Sequence, residues 1–165
     1  MPIVRAVRPL LLLAFLAACK SSDTTTVHNT TFSATLSPAN ETPAVVGSQA
    51  SGTAQFVFDG TSLAATLSIQ NMDSVTAAHI HVGAAGVAGP IVLALFTGPV
   101  VAHVGASQTL VTQSFTAANI SGISGAPPIS MDSLVALMRS GATYVNVHTH
   151  KHPAGEIRGQ VSLQP

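Results

Sequence analysis

The sequence has few charged residues, a single cysteine and no tryptophan. Lys and Arg total six, Asp and Glu total six, and charged residues make up 7% of the 165 residues, against about 25% in ordinary soluble proteins. This scarcity argues against coiled coils and charge-rich disordered segments. Without residues 1–18, four basic residues remain against six acidic ones. Such a chain lacks the basic patch that attracts nucleic acid, and we expect no nucleic-acid partner.

Further absences limit the chemistry. The only cysteine, Cys19, excludes a disulfide within the monomer. No Gly-x-Ser-x-Gly nucleophile elbow occurs and the acidic residues are scattered, so nucleophilic catalysis has little support. The glycine-rich residues 83–90 lack the Lys-Ser/Thr pair of a phosphate-binding loop and are interpreted as a flexible turn. These absences favour a non-catalytic protein.

Residues 1–18 have the pattern of a lipoprotein signal peptide. Arg5 and Arg8 give a positive start, and the apolar run at 10–18 is too short to cross a bilayer, which needs about 20 residues. Leu-Ala-Ala-Cys at 16–19 matches the bacterial lipobox, so we expect cleavage before Cys19 and lipidation of its thiol. A plain signal peptide followed by an incidental cysteine is the alternative.

Residues 19–29 are interpreted as the lipidated cysteine and a polar tether. Residues 20–29 are rich in Ser and Thr and have no apolar period, which gives a solvated linker with a reach of roughly 17 Å. We therefore expect an exported protein that is anchored through Cys19 to a membrane of the bacterial cell envelope. Lys20, in place of Asp after the cysteine, favours sorting to the outer membrane.

Residues 30–165 have the length of one domain and the pattern of a β protein. Apolar and polar residues alternate in several segments separated by Pro and Gly, namely 32–36, 54–58, 63–69 and 157–163. One segment has a helical period instead, because Ser130 can cap residues 131–139 and Gly141 follows as a stop. About seven short strands with one helix predict an antiparallel sandwich or barrel.

Histidine is abundant in a chain with so little charge. Four of the seven histidines form two His-x-His pairs: His79 with His81, and His148 with His150. Residues i and i+2 share one face of a strand, so the apolar neighbours of each pair are predicted to face the core and the imidazoles to face solvent. His28 and His103 fit neither pair and are assigned to the tether and to a loop.

A hairpin is predicted to join the second pair to the strand at 156–163. A five-residue loop at 151–155 gives a register in which both strands agree on their outward face. The outward pairs of this register are His150 with Glu156, His148 with Arg158 and Asn146 with Gln160, and the buried pairs are Val147 with Gly159 and Val145 with Val161.

The two His-x-His strands form a candidate metal site if they lie side by side. Four imidazoles would then occupy a patch of about 5 by 7 Å, and an all-nitrogen ligand set suits Zn(II) or Cu(II). His152 is a candidate further ligand, and Glu156 could hold a ring N–H. Arg158 disfavours a dication beside His148 but attracts an anion. The alternative is a group of surface histidines that bond to each other and to water.

Several blocks of sequence resemble the CHRD domain, a module first described in chordin and also found in bacterial secreted proteins and lipoproteins. The blocks are LSPANETP at 36–43, AAHIHVG at 77–83, GPIV at 89–92, YVNVHT at 144–149 and PAGEIRGQ at 153–160. They cover nearly all of the chain after the tether. Pro38 departs from the family, which usually has Gly there.

The resemblance implies an immunoglobulin-like β-sandwich over residues 30–165 and leaves the activity open. Residues 79–83 are also similar to the His-x-His strand of copper/zinc superoxide dismutase, although the chain lacks that enzyme's disulfide cysteines and its zinc loop. We expect a lipoprotein that acts as a non-catalytic binding or structural module with a protein or glycan partner. The alternative is a copper- or zinc-binding protein or metalloenzyme with His79, His81, His148 and His150 as ligands.

Overall fold

Alternating apolar side chains form ten strands within residues 29–165, the part of the chain that the computed structural model describes. Successive side chains of a strand point to opposite faces, so each strand buries every second residue. The strands are β1 (Thr30–Leu36), β2 (Ser51–Phe58), β3 (Leu63–Gln70), β4 (Met72–Val82), β5 (Ile91–Phe96), β6 (Val101–Val104), β7 (Gln108–Phe115), β8 (Thr143–Thr149), β9 (Ile157–Gln160) and β10 (Ser162–Leu163).

The first sheet has the strand order β10-β1-β2-β3-β7, and each neighbouring pair is antiparallel. Phe32 of β1 pairs with Phe56 of β2, and each side chain is 1% exposed. The neighbouring Gln55 is exposed on the other face. One face of this sheet therefore lies in the core and the other faces solvent.

The second sheet has the order β5-β4-β8-β9, and β6 pairs with another stretch of β4. Its inner face packs on the first sheet through Ala78 and Ile80 of β4 and through Val145 and Val147 of β8, all 0% exposed. The predicted orientation of these residues is confirmed. The prediction of an all-β antiparallel sandwich with one short helix is confirmed as well.

The helix α1 spans Met131–Arg139, as predicted. Ser130 Oγ accepts a 3.1 Å hydrogen bond from the backbone N of Ser133, which satisfies a donor of the first turn. Gly141 follows with φ of +69°, where a residue without Cβ ends the helix at little cost. The side chains of α1 that reach the core are Met131, Leu134, Val135 and Met138.

The hairpin of β8 and β9 has a register two residues away from the predicted one. The observed pairs are Tyr144 with Gln160, Val145 with Gly159, Asn146 with Arg158 and Val147 with Ile157. The five predicted pairs are therefore wrong. The loop between β8 and β9 spans residues 150–156, and within it the Glu156 carboxylate accepts hydrogen bonds of 2.7 Å from Thr149 Oγ1 and from Ser48 Oγ. A shift of two residues keeps each side chain on the same face of the sheet. The face predicted for each residue is therefore correct although the predicted register is wrong.

The predicted strand at 157–163 is divided between the two sheets. Residues of β9 pair with β8 in the second sheet, whereas β10 pairs with β1 in the first. Val161, at the crossing, is 1% exposed, and Leu163 is 46% exposed. Alternation of apolar residues continues through the crossing, which is why the sequence reads as one strand.

The predicted signal peptide, Cys19, His28 and most of the tether lie outside the described residues. No helix within residues 29–165 is both long enough and apolar enough to span a membrane.

Candidate metal centre

Three of the four predicted imidazoles meet on the outer face of the second sheet. His79 and His81 lie on β4 and His148 lies on β8, and these two strands are neighbours as predicted. In the register, His148 is opposite Ala77 and His79 is opposite Asn146. The side chains of His79 and His148 are therefore diagonal neighbours on one face, within reach of each other.

The three rings approach closely enough to share one ion. His79 Nδ1 lies 3.0 Å from His148 Nε2, and the ring centroids of His79 and His81 are 5.7 Å apart. One ring nitrogen from each of the three histidines can be chosen so that all three atoms lie within 4.8 Å of one another. The described residues thus contain a compact all-nitrogen donor set.

Backbone carbonyls fix two of the rings in one tautomer. His81 Nδ1 lies 2.8 Å from Gly89 O, and His148 Nδ1 lies 3.0 Å from Pro153 O. A carbonyl oxygen only accepts hydrogen bonds, so each Nδ1 carries the hydrogen and each neutral Nε2 keeps a lone pair. His148 Nε2 accepts from His79 Nδ1. His81 Nε2 is buried and has no hydrogen-bond partner among the described residues.

Burial keeps the three imidazoles neutral. Desolvation, with a smaller contribution from the charges that His148 and His81 would carry, lowers the pKa of His79 from 6.5 to about 4. Burial is also the largest cause that lowers the pKa of His81, against the hydrogen bond to Gly89 O, and it lowers the pKa of His148 against the bond to Pro153 O. Neutral imidazole is the form that binds metal.

The other predicted members of the site lie elsewhere. His150 is exposed at the end of β8, where its backbone N donates to Ser74 O, and it is not part of the three-histidine group. His152 is partly buried in the loop after β8, and its backbone N donates to Thr149 Oγ1. Glu156 holds Ser48 and Thr149 through its carboxylate. The register shift explains these positions, because residues 150–156 belong to the loop.

Arg158 is close to the histidines but separated from them by an aromatic ring. Its guanidinium carbon lies 3.4 Å from the centroid of the Tyr144 ring, and His81 stacks on the same ring at 4.8 Å with an interplanar angle of 9°. The strand order places Tyr144 on β8, between His81 on β4 and Arg158 on β9. Arg158 Nη2 donates to the carbonyls of Ala84 and Val87.

The polar face of the second sheet is buried, and the prediction that it faces solvent is wrong. His81 is 8% exposed, and Tyr144, Asn146 and Arg158 are each 3% exposed. The loop at 83–90 covers this face, since side chains of the sheet hydrogen-bond to the backbone of four of its residues. The segment before β2 covers it from another side. This loop was interpreted from the sequence as a flexible turn, but hydrogen bonds hold it over the polar face.

Three residues of this polar face, Glu41, Tyr144 and Asn146, were not predicted as members of the site, although Asn146 was predicted to point to this face. Glu41 Oε1 accepts a 2.6 Å hydrogen bond from Asn146 Nδ2, and the Tyr144 hydroxyl accepts from Gly89 N at 3.1 Å. Burial raises the pKa of Glu41 from 4.5 to about 7, against the opposing charge of Arg158. The sequence offered one indication of their role, because all three residues lie in blocks that resemble the CHRD domain.

His103 was predicted to lie in a loop, but the structure places it in strand β6. Its backbone pairs with Asp73 of β4, and its ring nitrogen Nδ1 bonds the Asp73 carboxylate. Both side chains are about three-quarters exposed, at 73% and 75%. His103 is therefore a surface histidine with a local partner, separate from the three-histidine group.

These features define a two-sheet, all-β domain with a partly buried histidine cluster on the outer face of one sheet. Residues 32–161 match the CHRD domain, and the chain belongs to the CHRD family. The family predicted from the sequence blocks is confirmed. Comparison with curated proteins and comparison with solved structures each find no match. The likeness to copper/zinc superoxide dismutase stays a prediction.

Proposed function

We propose that this CHRD domain is a binding module for one transition-metal dication, held by His79, His81 and His148. The observation that carries the proposal is the fixed tautomer of two rings: His81 and His148 donate through Nδ1 to backbone carbonyls, so each Nε2 has a lone pair that can bind a metal. The lone pair of His81 Nε2 has no partner among the described residues, and that of His148 Nε2 accepts from His79 Nδ1. Metal-ligating histidines in proteins typically donate their other ring N–H to a carbonyl or carboxylate, which orients the ring.

The distances support a metal after small side-chain rotations. A tetrahedral zinc with bonds of about 2.0–2.1 Å places its ligand nitrogens about 3.3 Å apart. The closest contact between the rings is 3.0 Å, and all three donor atoms lie within 4.8 Å. His79 would transfer its hydrogen from Nδ1 to Nε2, so that the Nδ1 lone pair turns to the metal. Zn(II) and Cu(II) are the dications that such a ligand set favours.

The burial of the site supports binding over a surface role. His81 Nε2 is a buried acceptor without a partner, and such an atom loses the hydrogen bond that it makes in water. A metal bond at this atom would remove that cost. Three protein ligands also leave one position of a tetrahedral metal for water or for a group on a partner. We therefore propose a non-catalytic metal-binding module.

We further propose that the module is exported and anchored in the bacterial cell envelope through a lipid on Cys19. The support is the sequence alone: a positive start, a short apolar run, the lipobox at 16–19 and the polar residues 20–29. On this proposal the tether holds the β-sandwich near the membrane. The outer membrane is the proposed site because Lys20 follows the cysteine.

Metal content tests the binding proposal. The full chain is purified without a tag from the exported fraction, and bound metals are measured by elemental mass spectrometry. We expect close to one equivalent of zinc or copper, and its loss in the double variant His79→Ala/His148→Ala. The matched controls are His103→Ala and His150→Ala, which lie outside the group and should retain the metal. Wild-type protein that neither contains metal nor takes up added Zn(II) or Cu(II) would overturn the proposal.

Fractionation tests the anchor. Wild-type protein should partition with membranes and into detergent, and Cys19→Ser should not be lipidated. Mass spectrometry of the mature amino terminus reports the acyl chains directly. If wild-type and Cys19→Ser proteins fractionate identically and neither carries a lipid, the anchoring proposal is wrong.

A further inference from the structure

A pocket beside the histidine cluster contains a buried positive charge. It lies between residues 39–42, which precede β2, and residues 85–86 of the loop after β4, and Arg158 and Gln160 of β9 complete its wall. Its volume is about 330 Å³. None of the three clustered histidines lines this pocket, so its chemistry is independent of a metal at that site.

Arg158 is nearly inaccessible to solvent and forms no ion pair among the described residues. The residue is 3% exposed, and among residues 29–165 no carboxylate oxygen lies within 4.0 Å of its guanidinium nitrogens. A buried charge is unfavourable unless an opposite charge or a full set of hydrogen bonds compensates it. Carbonyl oxygens satisfy only part of this requirement, because both hydrogen bonds of the guanidinium use Nη2.

The orientation of the guanidinium is set before any ligand arrives. Its plane lies against the Tyr144 ring, with 3.4 Å between the guanidinium carbon and the ring centroid. Nη2 is held by Ala84 O and Val87 O, each at 2.9 Å. Arginine has five N–H donors in a rigid fork, and the hydrogen bonds of the described residues leave those on Nε and Nη1 uncommitted. Both parallel donor pairs of the guanidinium include Nη2, which already bonds two carbonyls, so Nε–H and Nη1–H can each bond one oxygen of an anion.

The second ionisable group of the wall is Glu41. Its Oε1 accepts a hydrogen bond from Asn146 Nδ2, and it lies more than 4.0 Å from Arg158. Because burial raises its pKa to about 7, Glu41 is substantially protonated below that pH. A protonated carboxyl donates a hydrogen bond to an anion instead of repelling it.

The charges of the pocket select a monoanion. Arg158 is the one cationic side chain in its wall, and it balances one negative charge. A phosphate dianion would leave excess charge beside Glu41, whereas a carboxylate matches the single positive charge of Arg158. We propose that this pocket binds a small organic monocarboxylate through the Arg158 guanidinium.

Acetate is the probe for this proposal, and the protein is the full chain after treatment with a chelator. The Nε–H signal of Arg158 is followed by nitrogen-15 NMR during titration with sodium acetate, with sodium chloride at equal ionic strength as the reference. Arg139 is an internal control, because it is exposed and its Nη2 bonds Thr30 Oγ1 on another face. We expect a saturable shift of the Arg158 signal and no saturable shift of the Arg139 signal.

Two variants test which side chains are responsible for an NMR shift caused by acetate. Arg158→Gln should abolish saturable acetate binding, as measured on the remaining backbone signals around residues 39–42 and 85–86. Glu41→Gln should bind acetate at least as tightly as wild type, because the amide still donates a hydrogen bond and never carries the negative charge of an ionised Glu41. An Arg158 signal that does not respond to acetate in wild-type protein would overturn the proposal without any variant. Binding seen only in Glu41→Gln would overturn it too, because Glu41 would then be the counter-ion. A response to inorganic phosphate alone would exclude the carboxylate class.

The metal proposal and the carboxylate proposal fail separately. The acetate titration uses metal-free protein and reads Arg158, whereas the metal measurement reads His79, His81 and His148. A chain that binds acetate but no metal supports only the pocket. A chain that contains metal but does not bind acetate supports only the histidine site.

Discussion

Oε1 of Glu41 accepts a 2.6 Å hydrogen bond from Nδ2 of Asn146, across 105 positions of sequence. Asn146 is the β8 residue that pairs with His79 of β4. The bond therefore attaches the segment before β2 to the strand that holds the histidines. The polar face of the second sheet is thus enclosed by a segment that precedes the sheet in the chain and by the loop at 83–90 between β4 and β5.

The stability contribution of Glu41 should depend on pH. Burial raises its pKa in the folded protein from 4.5 to about 7, so between these values the folded state holds a proton that the unfolded chain has released. By linkage, this group lowers the free energy of unfolding as pH rises from about 4.5 to 7. Glu41→Gln removes the effect. We expect the Tm of wild type minus the Tm of Glu41→Gln to decrease across this interval, as measured by calorimetry.

Other titrating groups contribute equally to both proteins in that comparison, so the difference isolates Glu41. A Tm difference that is constant between pH 4.5 and 7.5 would contradict the prediction.

Gly155 should be required for the contact between Glu41 and Asn146. Its φ is +134°, and a Cβ there would clash with Asn146 Nδ2 and lie 2.6 Å from Glu41 Oε1. Gly155→Ala is expected to destabilise the protein by the backbone cost of roughly 1–3 kcal/mol plus the cost of displacing this contact. Urea unfolding measures the loss. Gly60→Ala is the control, because Gly60 has φ of +96° but open space around its Cβ position, and it should lose less.

Metal should raise the thermal stability of the chelator-treated protein. Zn(II) or Cu(II) in about 100-fold excess over Kd adds ~2.7 kcal/mol to the free energy of unfolding, which corresponds to roughly 8–10 °C in Tm for a domain of this size. His148→Ala should remove the shift, because it deletes a ligand of the group. His150→Ala should preserve it. Equal shifts in both variants would indicate metal binding at another place.

Leu134 and Leu163 should respond differently to truncation of the side chain, because only Leu134 is buried. Leu134 of α1 is 0% exposed, so Leu134→Ala should cost about 2–5 kcal/mol in the free energy of unfolding. Leu163 of β10 is 46% exposed, and Leu163→Ala should cost less than about 1 kcal/mol because little surface is buried there. Denaturant unfolding of the two variants checks the order. Equal losses would mean that Leu163 is in the core, as expected from one continuous strand at 157–163.

Local patterns were sufficient for much of the fold. Alternation in β1 to β4 predicted which residues face the core, because adjacent side chains of a strand point to opposite faces whatever the strand pairs with. Ser130 and Gly141 marked the limits of α1, because capping depends on backbone atoms within one helical turn. The shared face of His79, His81 and His148 followed from the same two-residue period.

The register of two paired strands depends on contacts between particular residues, and the two-residue alternation of apolar and polar side chains does not reveal these contacts. A shift of two residues between β8 and β9 leaves every face unchanged, so the pattern could not distinguish the predicted pairs from the observed ones. The hydrogen bonds of Glu156 to Thr149 and Ser48 accompany the longer loop, and Ser48 lies far away in the sequence. His150 was consequently placed in the cluster by the sequence and outside it by the structure.

The sequence by itself determined the β class, the family, the helix and the common face of three histidines, since these follow from periods and motifs of a few residues. The tertiary structure decided that this face is enclosed. Segments distant in sequence, at 37–43 and 83–90, fold over β4, β8 and β9 and hydrogen-bond to their side chains. Long-range packing removes water from this face, and desolvation disfavours the charged form of each buried group. The pKa of His79 is therefore lowered and that of Glu41 is raised.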